Sequence, residues 1–267
     1  MLLSHGLAIF SILTTLPVAA QVRLASDVTT ESPRPRHAPI SIIEEREDST
    51  VSSNNWSGYA VTGAAGSFTA AKGSWIVPAV TCTSGTQYAA FWVGIDGYKS
   101  ETVEQTGTDS DCSKGVPSYY AWYEFFPQPS FVVSSLTIQP GDRMSAEISY
   151  SGRKFTVTIT DVTTGESFSK TALVPSAERK SAEWVAEAPT STTGIQPLSD
   201  FGTVLFGDDS TSVPGSCYAT MDGATGPISS FANIYEITMV SLKGATESVP
   251  SALSSDGSSF SATWVSK

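Results

Sequence analysis

The 267-residue chain has only two histidines, His5 and His37, and both precede residue 51. A domain that starts near residue 51 therefore lacks imidazole, which excludes a Ser-His-Asp or Cys-His catalytic site inside it. Metal sites normally depend on histidine or clustered cysteine, so we expect neither a metal nor any other cofactor. No Gly-rich phosphate-binding motif lies between a strand and a helix, which argues against a nucleotide enzyme. The side chains left for chemistry are carboxylates, amides, hydroxyls and tyrosines.

Positive charge is scarce as well. Fifteen Lys and Arg residues oppose 26 Asp and Glu residues, which gives a formal net charge of −11 at pH 7. Such an acidic chain is a poor partner for nucleic acid or for an anionic membrane surface. Charged residues make up only 15% of the chain, while Ser, Thr and Gly are abundant, which is typical of a secreted β-protein. We therefore expect a soluble, extracellular monomer.

The first fifty residues differ in character from the rest. An apolar run over 7–16, followed by Pro17-Val-Ala-Ala20, predicts a signal peptide over residues 1–20, and this run is too short for a membrane anchor. Residues 21–50 contain several prolines, four arginines and an acidic run without any hydrophobic period. This composition predicts a removable pro-segment, with a disordered linker as the alternative. Residues 51–267 then form a single β-sandwich domain.

Alternation of apolar and polar residues predicts β-strands along most of the domain. The clearest case is a hairpin, in which residues 143–150 and 153–160 both alternate around a Ser-Gly turn. A strand over 102–106 is expected to end at Gly107, and residues 197–201 are expected to form one short helical turn. Many short strands at regular spacing predict an all-β, antiparallel sandwich of two large curved, jelly-roll-like sheets, with a β-barrel as the alternative.

The stretch Ser181–Pro189 combines a strand pattern with two carboxylates. Side chains alternate across a strand, so Glu183, Val185 and Glu187 share one face, and Trp184 lies on the other. Either this face lines a groove, or both glutamates are solvated on an exposed sheet face. A groove with both carboxylates is compatible with a glycoside hydrolase, although their Cα atoms are about 13 Å apart and a retaining glycosidase needs carboxyls about 5 Å apart. A non-catalytic carbohydrate-binding sandwich is a further alternative.

Five short motifs occur in the order found in the glutamic peptidases (eqolisins), and the chain resembles that family from about Asn54 to about Phe206. Each motif alone is weakly diagnostic, but the ordered set is specific. Members of this family are acid-acting endopeptidases that pepstatin does not inhibit, so the resemblance implies protein or peptide substrates. The motifs are Phe91-Trp-Val-Gly-Ile-Asp-Gly97, Val103-Glu-Gln-Thr-Gly107, Tyr120-Ala-Trp-Tyr-Glu124, Ala182-Glu-Trp-Val-Ala-Glu187 and Asp200-Phe-Gly-Thr-Val204.

The resemblance implies a catalytic Gln/Glu dyad on a concave face of a sandwich of two seven-stranded sheets. The glutamine of the family's Gln-Thr-Gly motif is Gln105 here, and the glutamate that closes Glu-Trp-x-x-Glu is Glu187. Glu187 is expected to act as general base and then general acid on an attacking water. Gln105 is expected to stabilise the oxyanion, because a neutral amide donates hydrogen bonds at any pH. No cofactor is implied.

Further residues take expected roles from the same resemblance. Trp92 and Asp96 match family positions near the site and are expected to bind substrate or to support the dyad. Tyr123 and Glu124 are weaker candidates to line the cleft, and Glu183 is expected to be structural.

Cysteine is limited to Cys82, Cys112 and Cys217. In a secreted protein three cysteines indicate one disulfide and one remaining thiol. Cys82 and Cys112 flank the first two family motifs and are therefore the expected pair.

The basic sequence Arg34-Pro-Arg36-His37 precedes a domain with an excess of acidic residues. At neutral pH these arginines are expected to pair with carboxylates near Gln105 and Glu187 and to hold the pro-segment across the dyad as an inhibitor. As the pH falls the carboxylates become neutral, so the pairs should weaken and release the segment. The alternative is a simple tether that other proteases remove.

Overall fold

The computed structural model describes residues 35–266. The predicted signal peptide and residues 21–34 of the predicted pro-segment lie outside the described residues. Almost all regular structure in residues 35–266 is β-strand, with one short helix, α1 (Asp208–Thr211), and one 3-10 turn (Ile228–Ser230), and the all-β prediction is confirmed. The strands are β1 (Ile42–Glu45), β2 (Thr50–Ser53), β3 (Trp56–Thr62), β4 (Phe68–Ile76), β5 (Thr86–Gln87), β6 (Ala90–Ile95), β7 (Val103–Ser113), β8 (Val116–Phe126), β9 (Phe131–Val132), β10 (Arg143–Ser151), β11 (Lys154–Asp161), β12 (Glu166–Ala172), β13 (Ser181–Glu187), β14 (Thr190–Ser191), β15 (Gly194–Ile195), β16 (Thr203–Phe206), β17 (Tyr218–Met221), β18 (Ala224–Pro227), β19 (Ile234–Val240), β20 (Thr246–Pro250) and β21 (Phe260–Trp264).

A first sheet has the strand order β2-β19-β3-β13-β6-β7-β8. Neighbouring strands in it are antiparallel, except for β2 and β19, which are parallel. The boundary predicted between residues 50 and 51 falls inside β2, which also pairs with β1. Residues 42–53 therefore form a hairpin that belongs to the edge of this sheet.

A second sheet has the order β12-β11-β10-β4-β16-β21-β20, and β17 with its partner β18 also pairs along β4. The predicted hairpin is present as β10 and β11, which pair in register from Met144 and Asp161 to Ser151 and Lys154. Pairing of β19 with β20 joins the two sheets at one edge. The antiparallel sandwich predicted from the strand pattern is confirmed.

Two tryptophans link the sheets through the core between them. Trp184 of β13 donates from Nε1 to the backbone carbonyl of Lys72 in β4 at 2.8 Å. In the opposite direction, Trp75 of β4 donates to Oγ1 of Thr108 in β7 at 2.9 Å. Both indoles are fully buried, so each supplies apolar area while its N–H keeps a partner. The inner face of the first sheet thus packs against the second sheet, and its outer face is available for a functional site.

Two local predictions were wrong. The strand expected to end at Gly107 continues to Ser113 as β7. A Cβ at Gly107 would lie 2.6 Å from Cβ of Trp92, so the glycine serves the close approach of β6 and not a turn. Residues 197–201 are extended and form isolated β-bridges instead of a helical turn.

The structure contains a disulfide between Cys82 and Cys112, the expected pair, with Cα atoms 5.4 Å apart. Cys217 is free and buried. The loop that the disulfide closes contains β6 and most of β7, and it carries three residues of the expected site, Trp92, Asp96 and Gln105.

We expect replacement of both Cys82 and Cys112 by alanine to lower the free energy of unfolding by roughly 3–4 kcal/mol. The cross-link spans 30 residues of sequence and restricts the unfolded chain, so its loss favours the unfolded state. Thermal unfolding followed by circular dichroism measures the change. Cys217→Ala is the control, because it removes a buried thiol without opening a loop. A loss for the double variant no greater than that for Cys217→Ala would contradict the argument.

Candidate active site

Four adjacent strands, β13, β6, β7 and β8, bring Trp92, Gln105, Glu124 and Glu187 to one face of the first sheet. In their register, Gln105 of β7 lies between Gly94 of β6 and Glu124 of β8. Glu187 ends β13 opposite Ala90. All of these side chains point away from the core that Trp184 and Trp75 occupy, because alternate residues of a strand face opposite sides. Trp56, Trp92 and Trp122 form part of a second buried apolar cluster on this face.

Glu187 is fully buried on this face. Nε1 of Trp92 donates to its Oε2 at 2.8 Å, and the Trp92 ring packs edge-on against Trp56 with centroids 4.9 Å apart. Burial raises the pKa of Glu187 well above its ordinary value, and the nearby His37 and the Trp92 hydrogen bond offset this only in part. Glu183 is also fully buried, so the alternative in which both glutamates are solvated is wrong.

Gln105 is fully buried and directs its amide nitrogen toward the N-terminal part of the chain. Its Nε2 donates to the backbone carbonyl oxygen of His37 at 2.6 Å. The same nitrogen lies 3.4 Å from Oε2 of Glu124, the residue opposite it on β8. Strand pairing therefore places Gln105 in the middle of this face, where its amide donates an N–H to a carbonyl group.

Residues 36–40 of the predicted pro-segment run through the site. The backbone N–H of Ala38 donates to Oε1 of Glu187 at 3.1 Å. Since the carbonyl oxygen of His37 accepts from Gln105, a single peptide group is held by both expected dyad residues. Its oxygen faces the amide, and its nitrogen faces the carboxyl group.

The side chain of His37 lies on the outer face of β7 and β8, in a pocket formed by Trp122, Asp109 and Glu124. Its ring stacks on Trp122 with centroids 3.5 Å apart and an interplanar angle of 2°. Nδ1 lies 3.1 Å from Oε2 of Glu124, and Nε2 lies 3.2 Å from Oδ1 of Asp109. Burial disfavours the charged imidazole, but the two carboxylates outweigh it and raise the pKa of His37 to about 10. The pocket therefore accommodates a flat cationic ring.

Backbone hydrogen bonds fix the segment on either side of this histidine. Arg36 and Thr190 exchange two backbone hydrogen bonds of 2.6 and 2.8 Å. On the other side, Nε1 of Trp56 donates to the carbonyl of Ala38 at 3.1 Å. Nδ2 of Asn55 donates to the carbonyl of Pro39, also at 3.1 Å. The segment is thus extended and paired by its backbone, as a peptide substrate in a cleft is.

The other expected site residues have different surroundings. The carboxylate of Asp96 accepts backbone N–H groups of residues 178–180 at 2.7–3.0 Å and so anchors the loop before β13. Tyr123 lies on the inner face of β8, stacked with Phe131 and Phe168, and does not line the cleft. Glu124 does line it, directly beside Gln105.

Sequence reasoning missed Asp109, Trp122 and His37 as occupants of the site. Strand alternation contained a signal for two of them, because Asp109 follows Gln105 by four residues and Trp122 precedes Glu124 by two. The predicted strand end at Gly107 hid the signal for Asp109, whereas Trp122 lies on the next strand and was not affected by it. His37 was excluded because it was assigned to a removable segment.

Within residues 35–266, no cluster of His, Cys, Asp and Glu is placed to hold a metal ion. No helix in that part of the chain is long and apolar enough to cross a membrane. The site places an amide donor, Gln105, beside a carboxyl group, Glu187, that is both buried and hydrogen-bonded.

An antiparallel β-sandwich that presents a glutamine and a glutamate to one peptide group has the features of a glutamic endopeptidase. The profile of the Peptidase A4 family matches residues 54–252. The chain belongs to this family, and the resemblance to the eqolisins is confirmed.

Similar proteins agree with this assignment. Aspergillopepsin-2 of Aspergillus niger is 29% identical over 213 residues, which are 71% of this chain and 75% of that protein. Scytalidopepsin B of Scytalidium lignicola is 34% identical over 126 residues, or 46% of each chain. The crystal structure of scytalido-glutamic peptidase with a transition state analog inhibitor superposes with a TM-score of 0.66 at 25% identity, covering 79% of this chain and 98% of that one. The protein is accordingly a glutamic endopeptidase.

Proposed function

We propose that the protein is a secreted acid endopeptidase that hydrolyses protein substrates with Gln105 and Glu187 as its catalytic dyad. The observation that carries the proposal is the peptide group between these residues. Gln105 Nε2 lies 2.6 Å from its oxygen, and Glu187 Oε1 lies 3.1 Å from its nitrogen. These are the two atoms of a peptide bond that gain negative charge and a proton, respectively, during hydrolysis.

In the proposed reaction, ionised Glu187 accepts a proton from water, and the resulting hydroxide attacks the substrate carbonyl carbon. Negative charge then develops on the carbonyl oxygen, where the Gln105 amide donates a hydrogen bond. Glu187, now protonated, transfers its proton to the departing nitrogen, and the carbon–nitrogen bond breaks. Trp92 holds one oxygen of Glu187, which leaves the other free to face water or the nitrogen.

The predicted pro-segment acts as an inhibitor in this proposal, and the contacts of residues 36–40 support that role. Among the basic residues, Arg36 places Nε 3.9 Å from Oε1 of Glu124 and its guanidinium 5.1 Å above the Phe126 ring. The more deeply held cation is His37. A segment bound in this way excludes other peptides, because it already uses the hydrogen-bonding groups of Gln105 and Glu187.

Coverage by the segment also weakens the base. Glu187 must be ionised to accept a proton from water, so the rate falls gradually as the pH drops below its pKa. Burial raises that pKa, so the covered carboxyl group is mostly protonated at acid pH and is a weak base there. Release of the segment exposes Glu187 to water and returns its pKa toward the ordinary value of about 4.3. Hydrolysis of other peptides at acid pH should therefore begin only after the segment has left the site.

We expect the full-length protein to digest casein at about pH 3–4 after a lag, with pepstatin present or absent. The lag reflects removal of the inhibitory segment, and it should vanish when acid-treated protein is added to fresh casein. A β-glucan assayed in parallel should remain intact. Release of sugar without release of peptides would contradict the proposal and favour a glycoside hydrolase.

A further inference from the structure

We infer that the His37–Ala38 peptide bond is the bond at which this protein cleaves its own N-terminal segment. The inference rests on the proposed function, because the same dyad performs the cleavage. The segment is then both an inhibitor and a substrate that is used once.

The contacts of the dyad single out this bond from its neighbours. For His37–Ala38, the oxygen accepts from Gln105 and the N–H donates to Glu187. In the preceding bond, the N–H of His37 is taken by Oε2 of Glu124 at 2.8 Å and does not face Glu187. In the following bond, proline supplies the nitrogen, which carries no N–H. Of these three peptide bonds, only His37–Ala38 presents its oxygen to Gln105 and its N–H to Glu187 in the structure.

Side-chain and backbone contacts hold this bond in place from both directions. The imidazole of His37 is fixed by Trp122, Asp109 and Glu124 on the side of the new carboxyl group. Backbone pairing of Arg36 with Thr190 adds a contact one residue before His37. On the other side of the bond, Trp56 and Asn55 donate to the carbonyl groups of Ala38 and Pro39. A bond held on both sides, with its reacting atoms on the dyad, satisfies the positioning requirement for hydrolysis.

The step adds one water across the bond. The carbon–nitrogen bond between His37 and Ala38 breaks, a carbon–oxygen bond to the water oxygen forms, and the proton from water passes through Glu187 to the nitrogen. The products are a peptide that ends with the His37 carboxyl group and a protein that begins with the Ala38 amine. No oxidant, metal or further reactant is needed.

The structure on the product side explains why a cut at this position leaves a complete domain. The N–H of Ile40 donates to the carbonyl of Gly97 at 3.2 Å, and residues 42–53 form the β1–β2 hairpin at the edge of the first sheet. A cut near residue 50 would sever that hairpin, whereas a cut after His37 preserves it. We therefore place the start of the processed domain at Ala38 instead of near residue 51.

Cleavage of the docked bond should be slow and intramolecular. The segment itself buries Glu187, which raises the pKa of the base so that only a small fraction of it is ionised at acid pH, and it limits access of water to the carbonyl carbon. The bond and the dyad belong to one molecule, so the half-time should not depend on protein concentration.

The test uses the full chain, purified at neutral pH and then incubated at several pH values between about 3 and 6. Mass spectrometry of the quenched samples identifies the released peptide and the new protein terminus. The expected products are a peptide ending at His37 and a protein beginning at Ala38, formed with the same half-time at every protein concentration. Glu187→Gln should form neither product.

Casein digestion in the same samples separates this inference from the proposed function. If casein is digested but the released N-terminal segment of the protein ends at a residue other than His37, the inference is overturned and the proposed function stays intact. Absence of both casein digestion and self-cleavage would overturn both. Appearance of the His37 end in Glu187→Gln would assign the cut to another protease and also overturn the inference.

A matched pair of variants tests the role of the pocket. His37→Ala removes the ring held by two carboxylates, and we expect it to slow formation of the Ala38 terminus roughly tenfold or more. Arg46→Ala removes a cation from the β1–β2 hairpin, where Arg46 is exposed and pairs with Glu44. It should cleave at the wild-type rate. Equal rates for the two variants would show that the pocket does not select this bond.

Discussion

Replacement of Glu187 by glutamine should reduce kcat/KM for peptide hydrolysis by roughly 10³-fold or more. The amide keeps the shape of the side chain and can still accept the hydrogen bond from Trp92. It cannot take a proton from water or return one to the leaving nitrogen, so both proton transfers are lost. The effect should fall mainly on kcat, because the contacts of the peptide with Gln105, Trp56 and Asn55 remain.

The Glu187→Gln measurement requires an open site. The segment is removed from the variant and the wild type with the same external protease, which is then inhibited, and both proteins are assayed on a chromogenic peptide and on casein. Circular dichroism and thermal unfolding verify that the variant is folded. A folded variant with a wild-type rate would remove Glu187 from the mechanism.

Replacement of Gln105 by alanine should reduce kcat by roughly 10²–10³-fold, the loss seen when one oxyanion donor is removed. Gln105 donates to the carbonyl oxygen at 2.6 Å, and this contact strengthens as the oxygen gains charge in the transition state. The value of KM should change much less than kcat. Initial rates over a range of peptide concentrations separate the two constants.

Gln87→Ala is the matched control for Gln105→Ala. Gln87 is also a buried glutamine, but its amide donates to the carbonyl of Leu198 at 3.3 Å, and its oxygen accepts from Thr83. Its replacement should lower stability without changing kcat. If both variants lose kcat equally, the Gln105 effect reflects general damage to the fold and not a lost oxyanion donor.

The strand that carries Glu187 was predictable because alternation is a local property. Glu183, Val185 and Glu187 were assigned to one face, and the structure confirms this: Val185 packs in the cluster of Trp92, while Trp184 reaches across to β4. Burial of both glutamates was not predictable in the same way. The residues that cover Glu187 come from β6 and from residues 37–38, which are distant in sequence.

The strand end predicted at Gly107 was wrong because a local rule was applied where a contact between strands decides. Glycine often ends a strand, but here it allows the side chain of Trp92 to approach β7 closely. That requirement exists only when β6 and β7 are already paired, so the sequence of β7 alone does not reveal it. The error hid Asp109, which lies beyond the glycine and binds the imidazole of His37.

The role of His37 depends on contacts between segments far apart in the chain. Its ring meets Asp109 and Glu124, which are 72 and 87 residues further along. The basic character of the segment predicted an electrostatic contact with the domain, and arginine was the expected partner. The structure gives the buried position to histidine, because a flat ring stacks on Trp122 while both of its nitrogens face carboxylates.

The central claim is that Glu187 is the catalytic base, and the comparison of Glu187→Gln with Glu183→Gln tests it most directly. Both glutamates are fully buried on the same face of β13, and burial raises the pKa of each well above the ordinary value. At acid pH a carboxyl group with a raised pKa keeps its proton, and glutamine resembles that form, so kcat/KM on a peptide substrate should stay near wild type in Glu183→Gln. Glu187 contacts the peptide group and becomes exposed when the segment leaves, so kcat/KM should fall by roughly 10³-fold in Glu187→Gln. Equal losses in the two variants, or a greater loss in Glu183→Gln, would contradict the account.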